Sequence, residues 1–359
     1  MNIKERLENL RNMMKRKFIS ALLVTQDQNR RYLSGFTGST GWLLITAKEA
    51  AIITDFRYWE QAGRESSHFR LVKVNNFAEN GMIKSLLGLL KELRVKTLWF
   101  EADALSYSQY LALKENLKEI KLESKSGFVE ELRAVKGKGE LELIKKASTI
   151  ADDAFLEIQK LIKPGITEKE LAIELLYKMR KRGAEKEAFD IIVASGPNSA
   201  LPHAKNTDRR IKEGDFVIFD FGAVYNGYHS DMTRTVIIGK PDKKHREIYS
   251  LVLESQRKAL KTIKAGMTCG GADLLARQVI EEGGFCEYFG HGLGHGIGLA
   301  VHEEPRLRKG NEALLKAGMV VSVEPGIYIP GFGGVRIEDL VEVTEKGCRV
   351  LTRAPKEEL

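Results

Sequence analysis

Residues 216–238 read FVIFDFGAVYNGYHSDMTRTVII: two apolar runs, Phe216–Phe221 and Thr233–Ile238, joined through Tyr225-Asn226-Gly227-Tyr228. Asn-Gly between such runs signals a two-residue hairpin, because both central residues of a type I′ turn need positive φ. With the register set at that turn, Asp220 lies opposite Thr233 and Asp231 opposite Gly222. Directly opposed residues share a face, as do residues i and i+2, so both aspartates point the same way, ~7 Å apart at the backbone. A one-residue slip would send them to opposite faces. Gly222 leaves room beside Asp231, and Thr233 stands where it can hydrogen-bond a ligand. Taken alone, two aspartates near strand ends are more simply turn caps.

Other segments change that balance. Met319–Val323 is an apolar run that ends at Glu324, just before Pro325-Gly326. A glutamate closing a buried strand is costly unless it is paired or metal-bound. Val335–Val341 alternates, which places Arg336 and Glu338 on one face. Phe289–Gly298 sets His291 and His295 among glycines. It fails the spacing of a dinucleotide loop, and it fits backbone packed closely against a crowded site. Asp220, Asp231, His295, Glu324 and Glu338 thus offer four carboxylates and one imidazole. Four carboxylates in one pocket would repel each other. Two divalent cations, ~3.5–4 Å apart, would offset that charge and activate a water, the chemistry of a dinuclear metallohydrolase. The chain has no HExxH, and its carboxylate-rich set favours Mn²⁺, with Co²⁺ as the alternative, over Zn²⁺. His203 and His302 are further site candidates, whereas His68, His229 and His245 read as structural.

The 359 residues are comfortable for two domains. All three tryptophans precede residue 100, and six of the seven histidines follow residue 200, which suggests a structural first domain and a chemical second one. In the first domain, helix-like stretches alternate with short β runs at Ala21–Thr25, Trp42–Thr46, Ala51–Thr54 and Thr97–Phe100, an α/β pattern. The expected domains are 1–122 and 123–359. Apolar positions at helical spacing predict a helix over Glu140–Lys163, and Thr167 with Glu170 forms a capping box for a second that Gly183 ends. Beyond Phe189, β runs dominate, with one further helix over Lys244–Ile263.

The net charge of +8 is spread along the chain without a basic stripe interleaved with aromatics, which argues against nucleic-acid binding. Three cysteines without a CxxC pair argue against a disulfide scaffold and for the cytoplasm. Lys15-Arg16-Lys17 before Phe18–Val24 imitates a signal peptide, but the run is short and lacks a small-residue cleavage site. A charged helix followed by a buried strand explains it better, and no membrane span is expected.

The segments Phe219-Asp220-Phe221-Gly222, Ser230-Asp231, Gly294-His295-Gly296, Val323-Glu324-Pro325-Gly326 and Arg336-Ile337-Glu338-Asp339 resemble the ligand motifs of the pita-bread metallopeptidases. That family holds methionine aminopeptidase, aminopeptidase P, prolidase and creatinase. Arg31–Ser39 and Thr54–Tyr58 resemble the N-terminal domain of its aminopeptidase P, prolidase and creatinase branch. The resemblance implies an α/β N-terminal domain plus an α+β pita-bread (creatinase/aminopeptidase) C-terminal catalytic domain. It implies that Asp220 chelates one metal, Asp231 and Glu338 bridge both, and His295 and Glu324 complete the other. His203, His291 and His302 would contact substrate, Arg336 would support the site, and Arg306 could meet a substrate carboxylate. Glu324 would also move the catalytic proton. The implied substrate is a proline-containing peptide cut between its N-terminal residue and the following proline. The reading leans to aminopeptidase P, with a prolidase restricted to Xaa-Pro dipeptides as the alternative. A creatinase-like amidinohydrolase or a non-catalytic binding module would come from other classes, and the complete ligand set speaks against both. A homodimer is implied as well, with one subunit's N-terminal domain bordering the other's active site.

Overall fold

The computed structural model describes residues 2–75 and 80–357, which divide into two compact units after Arg133. The expected boundary at 122/123 would have cut a strand. Lys121–Lys125 pairs in parallel with Thr97–Glu101 and so belongs to the first sheet.

That first sheet has six strands in the order Arg70–Val74, Ala50–Asp55, Trp42–Thr46, Ala21–Val24, Thr97–Glu101, Lys121–Lys125. The inner strand Ala21–Val24 is buried throughout, while both edge strands carry exposed lysine or arginine, which discourages edge-to-edge pairing. The basic stretch Lys15–Lys17 closes the helix Ile3–Arg16, and Ala21–Val24 is the buried strand expected after it. No described helix is long and apolar enough to cross a membrane.

The second unit is built from two halves, each a helix pair packed on a sheet. In one, helices Lys138–Ile158 and Glu168–Lys181 cover the three-stranded sheet Met232–Ile237, Phe216–Phe221, Ile192–Ser195. Phe155 stacks against Phe221 at 5.6 Å and meets Phe219 edge-on at 5.5 Å. The expected capping box is present, Thr167 and Glu170 exchanging hydrogen bonds at the start of the second helix. In the other half, helices Lys243–Thr262 and Cys269–Glu282 cover the five-stranded sheet Glu303–Leu307, Gly294–Gly296, Val320–Val323, Asp339–Val343, Cys348–Val350. The helix Cys269–Glu282 was not expected. Its first turn holds Gly270 and Gly271, poor helix formers, and the Thr268 hydroxyl caps it by accepting the Gly271 N–H while Cys269 and Ala272 pack into the core.

The hairpin of 216–238 has the expected register: Asp220 faces Thr233, and Tyr225 faces Tyr228 across a turn in which Asn226 and Gly227 both have positive φ. It is not one continuous ladder. At Gly222 the Ser230 carbonyl crosses so closely that a Cβ would lie 1.9 Å from it, and beyond it the tip strands Ala223–Tyr225 and Tyr228–His229 form a separate small sheet with Lys186–Glu187. The alternating run 335–341 is also interrupted. Gly333–Arg336 pairs with Gly326–Ile329, and Asp339–Val343 pairs with Val320–Val323, so Ile337 and Glu338 lie between two sheets.

Candidate metal centre

Asp220 and Asp231 come from one half of the second unit, and His295, Glu324 and Glu338 from the other. All five line one open cavity of ≈ 1280 Å³, together with His203, His291, His302, Arg306 and Arg336. The structure therefore brings together all ten residues singled out in the sequence.

Ligand-type atoms of Asp231, His295 and Glu338 lie within 4.8 Å of one another, and all three residues are buried. His295 stands on a strand flanked by glycines, where a Cβ on Gly294 would lie 2.1 Å from the Ser322 carbonyl and one on Gly296 would lie 2.2 Å from the Glu304 carbonyl. Only glycine allows these strands to approach so closely. The His295 Nδ1 lies 3.0 Å from the Gly296 carbonyl, which can only accept, so Nδ1 carries the proton. Burial pushes the imidazole down to about 4, so it is neutral near pH 7. Its Nε2 lone pair then faces Asp231 Oδ2 at 3.5 Å and Glu324 Oε1 at 3.3 Å. Asp231 Oδ1 and Glu338 Oε1 are buried without a hydrogen-bond partner among the described residues. Converging ligand atoms with unpartnered carboxylate oxygens describe a cradle for a cation, and this carboxylate-rich donor set suits hard divalent ions.

Burial pushes the Asp231, Glu324 and Glu338 carboxyls above the usual range, and neighbouring carboxylates add to the rise at Asp231 and Glu338. The protein orients three of the carboxylates. Arg336 Nη2 donates to Asp220 Oδ2 at 2.6 Å. Ser322 Oγ donates to Glu324 Oε1 at 2.9 Å, and Thr233 Oγ1 donates to Glu338 Oε2 at 2.7 Å. Thr233 also accepts from Arg336 Nε at 3.1 Å, so the arginine and Glu338 share one hydroxyl despite the strand break between them.

His291 donates from Nδ1 to the Gly292 carbonyl at 2.8 Å. Its Nε2 therefore accepts the Tyr328 hydroxyl at 2.9 Å, which in turn accepts Arg336 Nη1 at 2.8 Å. Burial pushes Tyr328 up to about 12, so it stays a donor at neutral pH. His302 packs edge-on against His295, ring centroids 4.4 Å apart, and burial holds it down at about 4. Arg306 pairs across the strands with His295, and His203 lines the cavity from an exposed position.

The sequence reading missed the groups that hold these residues. Tyr328 lies four residues beyond Glu324 in a strand too short to show a pattern. Arg277, on the unexpected helix, donates to the His291 carbonyl at 2.7 Å and pairs with Asp273, which accepts the Leu293 N–H.

Comparison with known proteins agrees with this geometry. The model of metallopeptidase family M24 matches residues 142–345, and that of the creatinase/prolidase N-terminal domain matches residues 6–135. The chain belongs to metallopeptidase family M24. Among solved structures of the family, an Xaa-Pro dipeptidase from Bacillus anthracis superposes with a TM-score of 0.96 at 47% identity, covering 100% of this chain and 99% of that one. An X-Pro aminopeptidase from Thermotoga maritima superposes at 0.88 with 42% identity, covering 97% and 98%. An Xaa-Pro dipeptidase from Pyrococcus furiosus is 43% identical over 358 residues, 99% of both chains. The fold is a creatinase-type N-terminal domain followed by the pita-bread catalytic domain, and the protein is a metallopeptidase.

Proposed function

We propose that this metallopeptidase is an Xaa-Pro dipeptidase that uses two divalent cations held by Asp220, Asp231, His295, Glu324 and Glu338. The observation that carries the cation site is the convergence of buried Asp231, His295 and Glu338, with Asp231 Oδ1 and Glu338 Oε1 left unpartnered. Dipeptide restriction replaces the lean toward aminopeptidase P. Two of the three relatives above bear the name Xaa-Pro dipeptidase, and Arg306 stands beside the centre where a substrate carboxylate could reach it. Mn²⁺ is the proposed cation on ligand hardness, with Co²⁺ as the alternative. A cytoplasmic homodimer is the proposed setting.

Divalent cations bound in this cradle would supply a water of lowered pKa and polarise the scissile carbonyl. Glu324, oriented by Ser322, takes the proton of the attacking water and returns it to the leaving proline nitrogen. His291 and His302 flank the place of the scissile carbonyl, His203 contacts substrate from the cavity rim, and Arg306 pairs with the free carboxylate of the dipeptide. Arg336 holds Asp220 and keeps Tyr328 aimed at His291.

The test is Mn²⁺-dependent release of amino acid from an Xaa-Pro dipeptide and an Xaa-Pro-Xaa tripeptide by metal-stripped protein. Cleavage of the dipeptide alone is expected. Cleavage of the tripeptide would establish aminopeptidase P instead, and silence on both with cation bound would overturn the substrate class.

A further inference from the structure

The loop that carries His203 is closed by a carboxylate outside the metal centre. Glu168, the first residue of the helix Glu168–Lys181, is fully buried. Its Oε1 accepts the Ser195 N–H at 2.7 Å and the Ser195 hydroxyl at 2.8 Å. Its Oε2 accepts Asn198 Nδ2 at 2.9 Å, the Thr207 N–H at 2.9 Å and the Thr207 hydroxyl at 2.6 Å. One carboxylate therefore ties both ends of residues 195–207. Five donors on two oxygens fill the roughly four lone-pair positions of a carboxylate, with two donors sharing one of them, and a side-chain amide of the same size cannot accept on both arms.

The neighbouring groups support this closure without duplicating it. Arg209 donates to the Ser195 hydroxyl at 2.7 Å, leaving the Ser195 proton for Glu168, and its guanidinium is committed to Asp215 through two contacts. Asn206 lies along the strand Ile192–Ser195, accepting the Val193 N–H and donating to the Ile191 carbonyl. Between the tied ends the loop reaches the centre. The Pro202 carbonyl accepts from Arg336 Nη1 at 3.3 Å, and His203 follows it on the cavity wall.

We propose that Glu168 is a positioning residue for substrate capture: by closing residues 195–207 on one carboxylate it sets where Pro202 and His203 stand beside Arg336. This rests on the peptidase reading above. Glu168 touches neither substrate nor cation, so its loss acts through the loop. In Glu168→Gln an amide NH₂ must face either the Ser195 N–H or the donors of Asn198 and Thr207, and one end of the loop is released.

The experiment is steady-state kinetics on an Xaa-Pro dipeptide, with hydrogen exchange over residues 195–207, for the wild type, Glu168→Gln and Thr207→Val. Thr207→Val removes one tether at an exposed residue and keeps the proposal testable if Glu168→Gln does not fold. The expected result is a KM raised about tenfold in Glu168→Gln and less in Thr207→Val, with kcat and bound Mn²⁺ near wild type and faster exchange confined to the loop. A purely structural role would lower the melting temperature and the active fraction while leaving KM at the wild-type value, and that result overturns the proposal. Should the wild type cleave neither peptide, the substrate reading fails separately. Exchange over 195–207 then decides alone: acceleration confined to the loop supports the tether, and unchanged exchange overturns it.

Discussion

Asp220 and Asp231 leave one hairpin on the same face, and the protein treats them oppositely. Asp220 is met at 2.6 Å by a buried arginine, whereas Asp231 Oδ1 is buried with no partner. The strands on the other side of the cavity repeat the contrast. Glu324 is held by the Ser322 hydroxyl, while Glu338 gives one oxygen to Thr233 and leaves the other bare. A buried carboxylate oxygen without a partner is expensive. The deficit is concentrated where Asp231 and Glu338 face His295, and the protein's own donors orient the surrounding carboxylates rather than neutralise that point. The partnered groups aim the site, and the unpartnered ones form the candidate cation cradle.

Substitutions can break this division. The largest effect is expected at Glu324, where Glu324→Gln keeps the shape and removes the proton acceptor. Turnover should fall by about 10²–10⁴-fold with an unchanged circular dichroism spectrum. Retained activity would sink the assignment of Glu324. Asp220→Asn should act on stability as well as on cation binding, because it strips the anion from Arg336, which is 3% exposed. Urea unfolding of the cation-free protein should show a loss of about 3 kcal/mol, the scale for breaking a buried ion pair. Thr233→Val comes next. It removes the hydroxyl that Glu338 and Arg336 share, and Mn²⁺ binding followed by calorimetry should weaken about 10–100-fold. Unchanged affinity would mean that the backbone bond from Glu338 N–H to the Thr233 carbonyl aims the carboxylate by itself.

The two ligand-bearing regions also differ in how far the sequence discloses them. The hairpin at 216–238 was legible to the residue because Asn226-Gly227 allows one turn geometry, and a turn fixes register over the strands it joins. Its break at Gly222 was not legible, since a close backbone crossing leaves no trace beyond a glycine. The run 335–341 alternates convincingly, but a change of sheet preserves alternation, so nothing local marks Ile337–Glu338 as a junction. The five candidate ligands stood out because carboxylates in apolar runs are costly without a purpose. Their supports did not. Ser322, Tyr328, Arg277 and Glu168 act through contacts made across the fold, often far along the chain, and as single residues they look ordinary. The helix Cys269–Glu282 was hidden for a different reason: its glycine-rich first turn opposes its own propensity and is rescued by a cap and by packing.

Asp231→Asn should give the smallest effect and the sharpest test of the contrast. In the cation-free protein, burial raises the Asp231, Glu324 and Glu338 carboxyls, and like charges add to it at Asp231 and Glu338. A carboxyl raised in the folded chain keeps its proton at a pH where the unfolded chain has lost it. Its contribution is therefore intact below the ordinary carboxylate value near 4 and is lost as pH rises through the elevated folded value. Thermal unfolding without cation should thus show stability falling as pH climbs above about 4. Asp231→Asn removes one of these charges, so it should flatten the decline and stabilise the cation-free protein near pH 7 by about 1 kcal/mol. Mn²⁺ reverses the order. At about 100 times its Kd it should stabilise the wild type by about 2.7 kcal/mol, and Asp231→Asn, having lost a shared donor, should gain far less. The crossing of the two stabilities on adding Mn²⁺ is the signature of an oxygen buried for a cation. If Asp231→Asn is the less stable protein in both conditions, Asp231 serves the fold like Asp220, and the division drawn between them fails.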